Sequence, residues 1–175
     1  MFEHHILLVS IKMYGGIYCF KESFVYAYRD HALNEPGILD ASFDRSYWNA
    51  LVSQGSKKLS LKAFLAAEQR IPGLGNGVVQ DILFKAKLHP LRKIETLNDT
   101  DLADLLMVMK NQIQTMVEMG GRDTELLLEG PGGYPSIMSA KRFELPSQIC
   151  GGSKVKENYM GGSIYFCPHC QQLEA

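Results

Sequence analysis

The 175-residue sequence contains no run of 18 apolar residues, so no segment reads as a membrane-spanning helix. It also lacks an excess of charge: 18 lysines and arginines face 19 aspartates and glutamates, and a net charge of −1 does not by itself suggest a nucleic-acid binder. Residues 6–11 are mostly apolar, but two histidines precede them and no small-residue cleavage site follows. No signal peptide is read, and a cytoplasmic location is the expectation. Gly-x-Ser-x-Gly, the P-loop and His-Glu-x-x-His are all missing, which leaves nucleophile-elbow, P-loop and zincin chemistry without support. The five histidines are scattered, and there is neither an internal repeat nor a low-complexity stretch. Cysteine is scarce, with four residues, Cys19, Cys150, Cys167 and Cys170. The last two form Cys-Pro-His-Cys, a metal-ligand spacing, and in a cytosolic chain zinc outranks a disulfide framework.

What is present is an ordinary globular composition, 46% hydrophobic and 21% charged, long enough for one fair-sized domain or two small ones. The charge is unevenly placed. Between Lys57 and Lys93, eight lysines and arginines face only Glu68 and Asp81, while residues 94–149 are acidic. A local positive surface of this kind suits phosphate, although a solvated helical face would look the same.

Residues 5–29 read as strands: His5–Met13, then Ile17–Phe20 and Phe24–Tyr28 after a break at Tyr14-Gly-Gly16. Three strands are too few to bury both faces of a sheet, and exposed edges across residues 5–28 favour self-association. Residues 30–41 read as a loop and about 43–52 as a short helix. Ser60 is an N-cap for a helix stopped by Pro72 and Gly73. A further helix starts near Gly75 or Asn76 and ends before Pro90. Leu102, Leu105, Leu106, Met109, Ile113, Met116 and Val117 give the longest helix its apolar stripe, capped by Thr96 or Asn98 and closed by Gly120-Gly121. The tail is a β-hairpin, Lys154–Met160 and Ser163–Phe166, turning at Gly161-Gly162.

The turn Pro72-Gly-Leu-Gly-Asn76 carries the chemistry. Gly73 and Gly75 can take positive φ and let a backbone approach closely. The helix that follows points free N–H groups outward, a ready anion site, and the Asn76 side chain can donate to a phosphate oxygen. Lys85 and Lys87 lie further along the same element. A plain C-cap followed by an N-cap is the other reading of an isolated Gly-x-Gly-Asn.

In its context, however, the stretch from Phe64 to Pro90 closely resembles the helix–two-turns–helix of the formamidopyrimidine-DNA glycosylase and endonuclease VIII family, with a Gly-x-Gly-Asn turn, an apolar helix and a His-Pro ending. Downstream, the long helix ending in Gly120-Gly121, the Gly133-Tyr134 pair and a hairpin ending in Cys-x-x-Cys-Gln follow the family's order. The resemblance covers about residues 43–172 strongly and 5–30 weakly. It implies an α+β fold: a mainly α-helical helix–two-turns–helix domain over residues 43–148, a remnant N-terminal β-sheet over 1–42, and a zinc-ribbon-like hairpin over 149–175. It implies damaged double-stranded DNA as partner, gripped at a phosphate by Gly73, Gly75, Asn76 and Gly77, with Met13 in the place of a residue that enters the gap left by a flipped base.

The family's ribbon binds zinc through four cysteines. Here Cys150, Cys167 and Cys170 match, and Ser147 stands in the remaining place. Either three thiolates hold zinc at reduced affinity, or the hairpin folds on Tyr159, Ile164, Tyr165 and Phe166 without it. Family catalysis uses an amino-terminal proline and an adjacent glutamate, with an arginine near the hairpin turn. This chain begins Met1-Phe-Glu-His, its first proline is Pro36, and the arginine position is Gly162. The expectation is that the N-terminal catalytic portion is missing, and no catalytic residue is assigned. Three readings stay open: a DNA glycosylase with AP lyase activity, a non-catalytic DNA-binding module of the same descent, and a protein-interaction scaffold, which would leave the local positive charge unexplained.

Overall fold

The computed structural model describes residues 5–10, 16–21, 27–55, 58–67, 70–128 and 130–173, which form two compact units divided after Asn34. In the first, strand β1 (His5–Ser10) pairs antiparallel with β2 (Gly16–Lys21), Leu7 opposite Cys19 and Val9 opposite Ile17. Helix α1 (Ala27–Asn34) follows. A third strand was expected to reach Tyr28, and residues 30–41 were expected to be loop. Instead Ala27 opens a helix that runs through Asn34. Ala27, Ala32 and Leu33 are good helix formers and Asp30 lies in the first turn, where a carboxylate favours the helix dipole; the aromatic run before it is a weaker, context-dependent signal.

The second unit, from Glu35 onward, holds both the helices and the terminal hairpin. Domain boundaries were expected after residues 42 and 148; the structural division falls after Asn34, and the hairpin packs within the helical unit. Helix α2 (Arg45–Gln54) starts at Asp44, whose carboxylate accepts the Tyr47 N–H at 2.8 Å. Its buried Trp48 donates from Nε1 to the Leu102 carbonyl at 3.0 Å. Helix α3 (Leu61–Ala66) starts at Ser60, whose hydroxyl accepts the Ala63 N–H. Helix α4 (Asn76–Lys85) and a 3₁₀ turn (Ile94–Thr96) lead to α5 (Asp99–Glu118), which opens on a complete capping box of Asn98 and Asp101. Gly120 and Gly121, both at positive φ, end α5, and the Gly121 N–H returns to the Met116 carbonyl. Of the expected α5 stripe, Leu102, Leu105, Leu106, Met109 and Met116 are buried, whereas Val117 is exposed.

Three short pieces complete the fold. Strands β3 (Leu126–Leu127) and β4 (Gly130–Pro131) pair antiparallel, and a second 3₁₀ turn spans Ala140–Arg142. Strand β5 (Val155–Tyr159) pairs with β6 (Gly162–Phe166), Tyr159 opposite Gly162. The turn residues are therefore Met160 and Gly161, at φ 51° and 73°, one position earlier than the expected Gly161-Gly162. Positive φ at both positions is the signature of a type I′ turn, which matches strand twist, and pairing decides which two residues supply it.

One core joins α2, α3, α4 and α5 through Phe43, Trp48, Phe64, Ile82, Leu105 and Met109. A second joins α4 to the hairpin through Phe84, Tyr134, Met138 and Tyr165. Helix α4 lies between them and is buried continuously from Val79 to Phe84. No helix among the described residues is long and apolar enough to cross a membrane.

Candidate functional site

The turn between α3 and α4 is anchored from below. Ile71 and Leu74 are buried, while positions for a Cβ at Gly73 and Gly75 meet nothing within 4 Å. Gly73 has φ +82°, the conformation that favours glycine. Gly75 does not share it. Its φ is −83°, and it serves as the N-cap of α4 without a side-chain cap, so the first-turn amides of α4 carry no side-chain oxygen from that residue. Asn76 is exposed at the helix start.

Packing brings the hairpin turn to this helix end. A Cβ at Gly162 would lie 3.8 Å from Asn76 Nδ2, and a cleft of about 260 Å³ is lined by Lys62, Ala66, Ala67, Asn76 and Met160–Gly162. Three polar contacts hold the hairpin there. Lys62 Nζ donates to the Tyr159 carbonyl at 3.1 Å, Ser60 Oγ and Tyr159 Oη lie 2.9 Å apart, and Gln80 Oε1 accepts the Tyr165 N–H at 2.6 Å. Burial lowers the Lys62 ammonium from the ordinary lysine value. Lys62 and Gln80 were not singled out from sequence as site residues. A lysine or glutamine inside a helix carries no motif, and only the pairing of distant segments gives it a role.

Other expected site residues are placed differently. Lys85 and Lys87 are exposed but lie away from the turn: Lys85 ends α4, about 13 Å along its axis from Asn76 at 1.5 Å per residue, Lys87 lies two residues past the helix at φ 56°, and neither lines the cleft. Met13 lies outside the described residues. The positive segment is also less free than its charge count implies: Lys62 is buried, Arg70 Nη1 donates to the Phe64 carbonyl, and Arg92 pairs with Asp101 at 3.1 Å.

Gly77 faces inward. A Cβ there would collide with the Arg122 guanidinium. Arg122 is buried, its Nε 3.6 Å from Asp81 Oδ2, while Asp81 Oδ1 accepts the N–H groups of Ile137 and Met138. Burial raises the Asp81 carboxyl above the usual range against the opposing pull of the Met138 N–H, Arg122 and the Ile137 N–H. A second opening, about 450 Å³ and lined by Asn76, Gly77, Gln80, Arg122, Lys141 and Tyr165 among others, adjoins this network. A larger cleft of about 700 Å³ lies between α2, the first 3₁₀ turn and the start of α5. Its charged residues, Glu95 and Asp99, are acidic, which does not suit a phosphate.

At the other end of the hairpin, the sulfurs of Cys150, Cys167 and Cys170 all lie within 4.8 Å of one another, Cys150 and Cys167 at 3.5 Å. His169 is not in this cluster. Ser147 Oγ is 3.5 Å from Cys170 Sγ and accepts the Ile149 and Cys150 N–H groups at 3.3 and 3.4 Å, while the Gly152 N–H donates to Cys150 Sγ. The Ser147 hydroxyl, the Gly152 N–H and the neighbouring thiols hold Cys150 below the ordinary thiol value; burial pushes Cys170 above it. Three sulfurs this close cannot all ionise without a cation, and three soft donors with amide support form a group able to bind a metal. Gln171 ties this knuckle to the segment after α4: its Oε1 accepts the Cys167 N–H at 3.0 Å, and its Nε2 donates to the Leu88 carbonyl at 2.8 Å.

Residues 36–127 match the family model described as the formamidopyrimidine-DNA glycosylase H2TH domain. The chain is 29% identical over 144 residues to a formamidopyrimidine-DNA glycosylase of Thermomicrobium roseum, covering 79% of this chain and 49% of that protein. It is 30% identical over 122 residues to the enzyme of Corynebacterium glutamicum strain R, covering 67% and 43%. The chain thus spans about half the length of the curated relatives it matches. Among solved structures it is similar to the MutM (Fpg) protein of Thermus thermophilus, with a TM-score of 0.70 at 23% identity, over 95% of this chain and 64% of that one. It is also similar to Lactococcus lactis Fpg in complex with DNA containing an abasic site, with a TM-score of 0.72 at 21% identity, over 91% and 59%.

Proposed function

Because the chain belongs to the formamidopyrimidine-DNA glycosylase and endonuclease VIII family, its H2TH domain matching over more than half of the sequence, we propose that it binds damaged double-stranded DNA. Gly73, Gly75, Asn76 and the first amides of α4 grip a backbone phosphate. The observation that carries this reading is the joint position of Asn76 and the hairpin turn, Met160–Gly162, on one cleft with Lys62 beside it. A helix N-terminus whose cap has no side chain presents N–H donors and a positive dipole end, and a neighbouring amide and ammonium add directed donors for the same anion. Gly77 belongs to this site as the packing floor that lets Arg122 lie under the helix start. Lys85 and Lys87, at the other end of α4, contribute to the general field rather than to the grip.

The wider activity that the family resemblance implies is removal of a damaged base followed by strand cleavage. We assign these residues the holding of DNA and no bond-breaking step, because none of the groups lining the cleft pairs a nucleophile with a general acid. The metal proposed for Cys150, Cys167 and Cys170 is zinc, in a structural role. It would fix the knuckle from which β5 and β6 carry the hairpin turn to Asn76.

Binding is tested by mobility shift on a duplex with one abasic site, comparing wild type with Asn76→Ala. The expected loss is about 1–3 kcal/mol for a charge-assisted contact, and equal affinity would remove Asn76 from the site. Borohydride added to the same mixture checks the chemistry. No covalent adduct is expected, and a trapped one would show that this polypeptide supplies an amine nucleophile.

A further inference from the structure

The cysteine cluster is one sulfur short of the set that closes a structural zinc site, and the Ser147 hydroxyl lies against it, 3.5 Å from Cys170 Sγ. We infer that Ser147 Oγ is the fourth metal ligand of this knuckle, giving a three-thiolate, one-oxygen site. The inference rests on the proposed zinc reading and goes beyond it by naming the ligand and its consequence.

Three features of the geometry support it. The first is spacing. With zinc–sulfur bonds of about 2.3 Å and zinc–oxygen bonds of about 2.0 Å at tetrahedral angles, an oxygen ligand lies about 3.5 Å from each sulfur and sulfurs lie about 3.8 Å apart. Ser147 Oγ is 3.5 Å from Cys170 Sγ, and Cys150 and Cys167 Sγ are 3.5 Å apart, with all three sulfurs within 4.8 Å. The second is burial. Ser147 is 4% exposed, so its oxygen is held inside the cluster and not in solvent.

The third is backbone support. The Ile149 and Cys150 amides, two and three residues on, point at Ser147 Oγ, as the Gly152 amide, two residues on, points at Cys150 Sγ. The chain therefore wraps around the serine oxygen as it wraps around a thiolate. The Gly151 N–H returning to the Ser147 carbonyl at 2.8 Å, with Gly151 at φ +71°, closes that wrap. The two amide bonds to Oγ, at 3.3 and 3.4 Å, are long, so one lone pair can turn to a metal at little cost.

The chemistry then differs from that of a four-thiolate knuckle. Three thiolates on a divalent cation leave a net charge of −1 instead of −2, and a neutral hydroxyl is a weak, displaceable donor. His169, on the knuckle itself, is outside the group of mutually close ligand atoms and does not complete the set. The site therefore holds its metal less tightly than four thiolates would, and a small exogenous thiol can compete for the oxygen's position.

The experiment loads the full chain with cobalt(II) or zinc and compares wild type, Ser147→Ala and Ser147→Cys. Affinity is measured against a chromophoric chelator, and ligand type is read from the cobalt(II) spectrum. Wild type is expected to bind one metal with three-thiolate charge-transfer intensity, Ser147→Ala about tenfold more weakly, and Ser147→Cys more tightly with a four-thiolate spectrum. Added 2-mercaptoethanol should shift the Ser147→Ala spectrum at concentrations that leave wild type unchanged. Equal affinity and equal thiol response in wild type and Ser147→Ala would mean that water holds the fourth position, and the inference fails. Metal binding by Ser147→Cys alone would also overturn it while leaving the knuckle fold intact. If no variant, Ser147→Cys included, binds metal, the zinc reading itself falls.

Discussion

Gly77 sits in the first turn of α4, where any side chain would occupy the space taken by the Arg122 guanidinium. Arg122 in turn faces Asp81 at 3.6 Å and Glu125 at 3.5 Å, and Asp81 accepts two backbone N–H groups from Ile137 and Met138. One missing Cβ thus lets a buried cation lie flat against the helix that carries Asn76. Gly77→Ala is expected to destabilise the protein by about 1–3 kcal/mol, the range for overpacking a tight site. Chemical denaturation checks it, and combination with Arg122→Ala should be clearly less than additive, because both changes act on the same contact. Two fully additive losses would separate Gly77 from Arg122. At the same scale, the role inferred for Ser147 rests on two amides and a neighbouring sulfur.

Among the elements, α4 and α5 contrast. Helix α5 is specified by its own sequence: a capping box at Asn98 and Asp101, a stripe of leucines and methionines, and two glycines at positive φ to end it. Asn98→Ala removes the acceptor for the Thr100 and Asp101 amides, both at 2.9 Å, and should cost about 1 kcal/mol, read as a lowered midpoint of thermal unfolding. An unchanged midpoint would mean that tertiary packing alone fixes where α5 begins. Helix α4 starts on a glycine without a side-chain cap and is buried around its circumference from Val79 to Phe84. It is held by neighbours: α3 and α5 on one side, the hairpin on the other. Of its buried polar groups, Gln80 Oε1 accepts from the backbone of β6 and Asp81 Oδ1 from that of residues 137–138, while Asp81 Oδ2 makes no hydrogen bond and faces Arg122 Nε at 3.6 Å. The weak cap is what leaves donors available to an anion, and the packing supplies the stability that the cap does not.

At the scale of the whole second unit, separate segments are tied together by charge. Asp123 accepts from Lys141 and Arg142 at 2.9 and 3.1 Å and from the Ser136 N–H, joining the segment after α5 to the second 3₁₀ turn. Burial alone would raise its carboxyl, but Lys141, Ser136 and Arg142 outweigh that and hold it well below the usual carboxylate range. A carboxyl depressed in the folded state stabilises the fold above its unfolded value, near 3.9, and loses that contribution as the pH falls through the folded value. Stability should therefore fall in the acid range below about pH 4, and Asp123→Asn should flatten that part of the profile while lowering stability at neutral pH. Denaturant midpoints measured from pH 7 to pH 2 check it; an unchanged acid slope in the variant would assign the loss to other carboxylates.

Much of the helical part is legible in the residues themselves. The Ser60 cap, the start of α4 at Asn76, the α5 stripe and its glycine stop follow from local rules, because caps, glycines and a 3.6-residue apolar period act over a few residues. The Gly-x-Gly-Asn turn and the Cys-x-x-Cys spacing likewise point to a phosphate grip and a metal knuckle. The residues of α1 read instead as strand and loop, since an aromatic, β-branched run is a weak signal when the following residues are helix formers. Gly75 does not take the positive φ expected of it, because the cap position needs extended backbone. What only the tertiary structure decided is which distant residues meet: Lys62 with Tyr159, Gln80 with Tyr165, and Arg122 with Gly77 and Asp81. The physical reason is range. Backbone propensity is set within a few residues, whereas a buried polar group is satisfied by whatever chain segment packing brings to it, and sequence spacing carries no record of that partner.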